Sequence, residues 1–324
     1  MFKLMGKNSD VILSRLKSWR LTDGNGTEGD NLTLTINADD IDGIPPKGEK
    51  YTVYLGQVKR DVFEISQRSI ELLPREIKLV LTVSPFSIND VTGYRERKSF
   101  SWDNTTLSQV VSDCVTPHGF AFFVHPGLQK TVIQHVDRTE ESTPAFLNRL
   151  AKQYDAVAKP VEDKYIFVPI GQQTSATGAD IESITLSLPQ GNTTENTHFI
   201  RLSADLDGRS EFNGVRAFYV STEDGTRQEI KTGSKPFKLL GKDKNSKVEA
   251  EQACATELRK IQRTGRKISI NAPVNTAAFA EGLVILDASF PLAFQGKCSI
   301  DSVTISGAGL QPTRMSISAT LTGE

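Results

Sequence analysis

The chain has 324 residues, 38% of them hydrophobic and 24% charged, which suffices for about two ordinary domains with real cores and excludes a disordered polymer. Its 38 basic and 39 acidic residues leave a net charge of -1, so no global field draws it to nucleic acid or to an anionic membrane. Three scattered cysteines, Cys114, Cys254 and Cys298, make no disulfide framework and fit a reducing cytoplasm; the opening Met1 to Gly6 has no secretory apolar stretch, and no apolar run reaches the roughly 20 residues of a membrane span.

The first 85 residues read as strands. Leu32, Leu34 and Ile36 alternate with Thr33 and Thr35, followed by Tyr51, Val53 and Leu55 and then Ile77, Leu79, Leu81 and Val83. A period of two puts these side chains on one face of a sheet. Asp23-Gly24-Asn25-Gly26 and Ile44-Pro45-Pro46-Lys47-Gly48 supply turns between them, and short strands at this spacing suggest a small barrel or sandwich.

The period changes after Trp102. Leu107, Val110, Val111, Cys114 and Val115 share one helical face, with Asp103, Asn104 and Thr105 as candidate caps and Pro117 with Gly119 as the stop. A short strand, Ala121 to Val124, precedes a second helix, which Thr143 caps, Pro144 opens and Leu147, Leu150, Ala151 and Tyr154 stripe. Tyr165 to Val168 reads as a strand. From about residue 180 strands return, around Ile184 to Leu188, Val215 to Val220, Ile268 to Ile270, Val303 to Ile305 and Met315 to Leu321. One helix interrupts them, about Ser246 to Thr264, with Glu249 and Glu251 near its start, Arg259, Lys260 and Arg263 near its end, and Gly265 closing it. Ser221 to Lys247 is polar and reads as an exposed loop or a long hairpin. The expected organisation is a first β-barrel region at 1-98, an α+β insert at 99-178 and a second β-barrel region at 179-324 that carries the helix at 246-264.

Motifs that match chemical signatures each read better as structure. Gly24-Asn25-Gly26-Thr27-Glu28-Gly29 fits G-x-G-x-x-G but leads into a strand, where a dinucleotide site needs a helix N-terminus. Asp40, Asp42, Gly43 and Glu49 fit part of a calcium loop whose first position would be Ala38, and Pro45 and Pro46 break it. Ser14 to Lys17 matches S-x-x-K and Lys231-Thr232-Gly233 matches K-T-G, yet the first lies in an apparent strand and no S-D-N element exists. Cys114, His118, His125 and His135 have no common zinc spacing, and Cys114 sits on the apolar stripe. Glu140 and Glu141 beside a helix start read as a capping region before a glycosidase pair, and the lysines from Lys235 to Lys247 read as a solvated loop. No catalytic, cofactor-binding or metal residue is assigned.

Several runs, in order along the chain, resemble the late control D proteins of temperate contractile-tailed phages. Ser18-Trp19-Arg20-Leu21-Thr22-Asp23 with Glu28 to Leu34 is similar to that family's opening, and so is Ile44 to Gly48 with Tyr54-Leu55-Gly56. Ser101 to Leu107 resembles the approach to its first helix. His135-Val136-Asp137-Arg138-Thr139-Glu140-Glu141-Ser142, leading into Ala145 to Ala151, is similar to its "ID-x-x-x-ES-D-x-x-FL-x-RLA" segment, a form of which occurs in type VI secretion spike proteins. Ala250 to Ala253 through Leu258 to Gly265 resembles the helix before its last strands, and the lysine-rich insertion ahead of that helix is shorter here.

The resemblance implies a structural baseplate hub and no enzyme: a mostly β, α+β fold with two similar small barrels around an inserted α+β unit. Three copies would form a pseudo-sixfold ring joining the hexameric tail tube, or an adjoining baseplate protein, to the trimeric central spike. It implies no cofactor, no metal, no nucleic-acid specificity and no membrane span, and places the protein in the virion tail baseplate after synthesis in the host cytoplasm. A hub of a phage-derived bacteriocin or other contractile injection particle fits the same sequence. A baseplate cell-wall hydrolase would need an acid-base pair in an extra domain.

Overall fold

The computed structural model describes residues 1-24, 29-41, 43-83, 92-161, 164-170, 183-204, 212-221, 224-263, 267-280 and 282-321. The chain begins β1 (Phe2–Met5), α1 (Ser9–Ser14), β2 (Leu16–Gly24), β3 (Asn31–Asn37), β4 (Lys50–Leu55), β5 (Val58–Leu72) and β6 (Arg75–Thr82). The alternation read from sequence sets the register: Leu32, Leu34 and Ile36 of β3 lie opposite Leu81, Leu79 and Ile77 of β6, and all six are buried. Apolar side chains directly across a ladder stabilise it, and a one-residue slip would turn every one of them outward.

Next come β7 (Lys98–Thr106), α2 (Leu107–Val115), β8 (Ala121–Val124), α3 (Pro126–Gln129), β9 (Val132–Glu141), α4 (Thr143–Gln153), β10 (Ala156–Val161) and β11 (Lys164–Pro169). The apolar stripes of α2 and α4 meet in a core of their own with Trp102, Phe146 and Phe167, where the Trp102 indole stacks on Phe146 at 5.2 Å and its Nε1 donates to Asp113. The opposite face of β10 and β11 is also buried, by Val157, Ile166 and Val168. A sheet covered on both faces reads as an unbroken apolar run, which is why Tyr165 to Val168 does not alternate.

The remainder is β12 (Ile184–Leu186), β13 (Arg201–Ala204), β14 (Gly214–Val220), β15 (Arg227–Gly233), β16 (Phe237–Leu239), α5 (Lys247–Arg263), β17 (Lys267–Ala272), β18 (Leu283–Leu286), β19 (Gly296–Ala308) and β20 (Gln311–Leu321). Among the described residues two sets of six strands make one twelve-stranded sheet: β1-β4-β5-β6-β3-β2, and β13-β17-β20-β19 with β18 and β12 branching from β19. The long strand β19 joins them. Its Gly296 to Ser299 pairs with β18, its Ser302 to Ala308 pairs with β2, and β20 runs along its other edge. One apolar core continues across both sets, from Leu34 and Leu79 to Ile270 and Ile317. The mostly β, α+β class read from the sequence holds.

Trp19 sits at the seam between the sets. It is buried, stacks on Phe2 at 4.5 Å and donates from Nε1 to the Gly309 carbonyl at 3.1 Å. Gly307 lies opposite it in the β2-β19 ladder, and a Cβ built there would come within 2.3 Å of the indole, so only glycine fits under the ring. The Phe2 amide donates to the Leu310 carbonyl, bringing the first strand of one set against the hairpin end of the other.

Three local expectations change, and of the two readings of the stretch after Ser221 the hairpin holds. Residues 9-14 form a helix and no strand, too short for a periodic stripe to show, with only Ile12 buried; Ser14 of the S-x-x-K match therefore ends a helix. The cap of α2 is Thr106, whose side chain accepts from the Gln109 amide, because β7 runs through Asp103 to Thr105 in pairing with β9. The cap of α4 is Ser142, which accepts from the Ala145 amide, and Thr143 is buried in the first turn. Much of the polar stretch after Ser221 is sheet: β15 pairs with β14 as a hairpin and β16 joins on the other edge, with α5 packed on them through Ala250, Cys254 and Ile261. Helix α5 is capped by Ser246, which accepts from the Glu249 amide, while the Glu249 carboxylate takes the amide of Asn245, the residue before the cap.

Candidate functional site

The residues singled out from sequence do not gather. Gly24 ends β2 and Gly29 precedes β3, with Asn25 to Glu28 outside the described residues, so the glycine motif joins two antiparallel strands and opens no helix. Asp40 pairs with Arg15 at 2.6 Å, Gly43 and Glu49 line the same surface cavity, and Asp42 lies outside the described residues. Ser14 donates to the Val11 carbonyl while Lys17 pairs with Glu76, and Lys231 pairs with Glu229 at 2.6 Å. Gly265 and the Arg263 side chain also lie outside the described residues.

The four metal candidates go four ways. Cys114 is core, its thiol pushed up to about 12 by burial. His118 bridges the hydroxyls of Thr92 and Thr143, and His125 caps α3 by accepting the Gly127 amide. His135 lies between Asp103 at 2.6 Å and Asp137 at 3.0 Å on the exposed β7-β9 face, and those bonds, Asp103 first, raise its pKa. Among the described residues no three His, Cys, Asp or Glu side chains are placed to hold a metal ion. Glu141 clamps Arg149 of α4 through both carboxylate oxygens, and that hydrogen bonding lowers its pKa, while Glu140 sits at a backbone φ of 50°.

The concentration of charge lies instead where the three parts of the chain meet. Lys159 of β10 donates to the Gly24 carbonyl at 2.9 Å and stands 3.5 Å from the Asp23 carboxylate, with only 11% and 14% of the two side chains exposed. Asp23 also accepts from the Ala280 amide at 2.9 Å, in the segment between β17 and β18. Asp30, just before β3, accepts from the Gly24 amide. From β5, Arg60 donates to the carbonyls of Ala278 and Thr276 and lies 4.0 Å over the Phe279 ring, next to the buried Asp61. First strand set, insert and second strand set are thus tied at one polar node.

Burial dominates its electrostatics. It raises Asp30 to about 6, against the pull of Lys159, with Asp23 adding to the rise. It lowers Arg60 to about 10, which Asp23 and Asp30 oppose, so the guanidinium stays charged at neutral pH. Partly buried ions held by several hydrogen bonds fix geometry more than they add stability. These residues were missed because positions 23, 30, 60, 159 and 276-280 share no local pattern. The one sequence signal is Lys159 itself, a lone cation in the run Ala156-Val157-Ala158-Lys159-Pro160-Val161.

Two apolar surface features stand apart from the node. The β5-β6 hairpin ends in Leu72 and Leu73, 75% and 91% exposed, and a cavity of about 380 Å³ opens beside α1, lined by Val11, Ile12, Ile44, Pro45, Tyr51 and Ile77.

No protein-family model matches the chain. It is 30% identical over 232 residues to a protein of Escherichia phage P2 named as a probable baseplate hub protein, an alignment covering 69% of this chain and 57% of the phage protein. A second relative of the same name, from Escherichia phage 186, is 28% identical over the same shares. The chain spans little more than half the length of these curated relatives. In fold it is similar to the 43 kDa tail protein of prophage MuSo2 from Shewanella oneidensis, with a TM-score of 0.69, 12% identity and 99% and 98% of the two chains covered. It is also similar to an E. coli component of the type VI secretion system, with a TM-score of 0.57, 12% identity and 100% and 77% covered.

Proposed function

We propose that this chain, a relative of phage baseplate hub proteins, is itself a structural hub of a contractile tail: three copies close a pseudo-sixfold ring between a hexameric tail tube and a trimeric central spike. The 30% identity to the probable hub of phage P2 carries the reading. The fold supports it. Two six-stranded sets side by side in one chain give a trimer six such sets, which matches the symmetry of a hexameric ring on one side and a threefold partner on the other. The likeness to a type VI secretion component favours a spike as one partner, with the tube or an adjoining baseplate protein as the other.

In this reading the work is mechanical. The chain acts in the virion tail baseplate by holding the spike and capping the tube, and its buried charges serve shape and no reaction. The sequence divisions at 1-98, 99-178 and 179-324 are then two ring-forming parts around a peripheral insert. Light scattering over a concentration series tests the proposal. A mass near three times the 35.6 kDa of one chain alone, or that mass plus the mass of the spike when a candidate spike protein is added, is the expected result. A chain that stays monomeric with the spike present overturns it.

A further inference from the structure

We propose that copies of this chain join head to tail through one contact, in which the Leu72-Leu73 tip of the β5-β6 hairpin enters an apolar cavity beside the β13 edge of the next copy. The inference rests on the ring reading above and names the surfaces that close the ring.

Both halves of the contact are present on one chain. The hairpin of the first strand set ends in Leu72 and Leu73, which lie outside the core, and Ile70, two residues before Leu72 and so on the same face of β5, is exposed as well. At the end of the second set, β13 pairs among the described residues with β17 alone, and an unpaired strand edge is a place where another chain can dock. Beside that edge lies a cavity of about 350 Å³ lined by Leu188, Phe199, Leu202, Phe290 and Phe294, and the neighbouring Leu292 is exposed. An engineered apolar cavity of roughly 150 Å³ already takes a benzene ring, so this one has room for leucine side chains.

Charge selects the pairing. Glu71 adjoins Leu72 at the tip and stands directly across the ladder from Glu76, which already holds Lys17; like charges in that position repel, and a cation relieves them. Arg201 of β13 lines the cavity and lies close to Arg314, whose pKa is lowered by burial first and by Arg201 second. Arg314 donates to the Asn271 side chain and to the carbonyls of Thr197 and Phe199, and among the described residues to no carboxylate. An acidic apolar tip is thus matched by a basic apolar cavity. The cavity beside α1 is the poorer receptor: its charged lining residue is Glu49, and its wall is already fastened to the same hairpin, Arg68 donating to the Pro45 carbonyl and Arg75 to the Ile41 carbonyl. Because tip and receiving cavity lie on different strand sets, each copy gives a tip to one neighbour and takes a tip from the other, the heterologous arrangement that closes rings.

Sedimentation velocity on the full chain over a concentration series, with a candidate spike protein added if the chain alone stays monomeric, tests the contact. Leu73→Asp should weaken association by roughly ten- to a hundredfold, the worth of burying one leucine side chain. Glu71→Arg and Arg201→Glu should each weaken it several-fold, and the two together in one chain should recover most of the loss, because the pair is then restored with its signs exchanged. All three positions are exposed, so the variants should fold as the unmodified chain does. Association unchanged by Leu73→Asp overturns this contact and leaves the ring reading standing, and so does a doubly exchanged chain as weak as the two single losses combined. An unmodified chain that never associates, with the spike or without it, overturns both.

Discussion

The two strand sets and the insert are held to each other by opposite means. Between β2 and β19 the attachment is a continuous hydrogen-bonded ladder with an indole locked over a glycine, and one apolar core runs beneath it. Between the insert and the sheet the described polar attachment is Lys159, which donates to the Gly24 carbonyl beside the Asp23 carboxylate. A ladder with a packed core has one low-energy arrangement, because any slip costs every contact together. A charged node responds to protons and salt. The strand sets are therefore joined by packing and a ladder, and the described polar contact of the insert by charge.

Breaking the rigid side should have the largest effect. Trp19→Ala removes the indole from Phe2, Gly307 and the Gly309 carbonyl at once, and should cost about 3–5 kcal/mol in denaturant unfolding, the range for buried tryptophan truncation. A loss below about 1 kcal/mol would mean that the seam is not a principal support of the fold. The charged side should show a smaller change of distinctive sign. The Asp30 pKa is raised on folding, so the stability it contributes is complete below about pH 4 and lost as pH rises through about 6. The stability of Asp30→Asn relative to the unmodified chain should accordingly grow over that interval, by at most about 3 kcal/mol for a two-unit shift. Urea midpoints at pH 4.5 and 7 would measure it, and a constant difference would contradict the assignment. The smallest effect belongs to an ion pair far from both joints. Arg227 pairs with Asp243 at 2.7 Å with both side chains exposed and lies over the Phe218 ring, and Arg227→Ala should lower stability in urea by no more than about 1 kcal/mol.

How much of this was legible depends on how local each signal is. The alternation in β3 and β6 and the stripes of α2 and α4 were plain, because burial of one face imposes a period on neighbouring residues. Helix α1 was invisible, since six residues with one buried side chain carry no period. Strand β15, Arg-Gln-Glu-Ile-Lys-Thr-Gly, owes its form to its ladder with Gly214 to Val220 and not to its own composition. The caps of α2 and α4 each fell one residue from a candidate of the same chemistry, the ordinary uncertainty of helix ends. The node was hidden for the reason that hides most tertiary sites: its members are brought together by the fold. Trp19 was in view, but its ladder partner Gly307, far along the chain, carried no signal of its own.

The shared strand also governs where such a chain has freedom to drift. One added residue within Ser302 to Ala308 would reverse the facing of side chains against β2 and against β20 together, so the length of β19 is pinned by two neighbours. Among the described residues the hairpin from β14 to β15 answers to its own small sheet and to α5. Lineages descended from a common ancestor should therefore keep β19 invariant in length while lengthening, shortening and recharging the segment between Ser221 and Lys247.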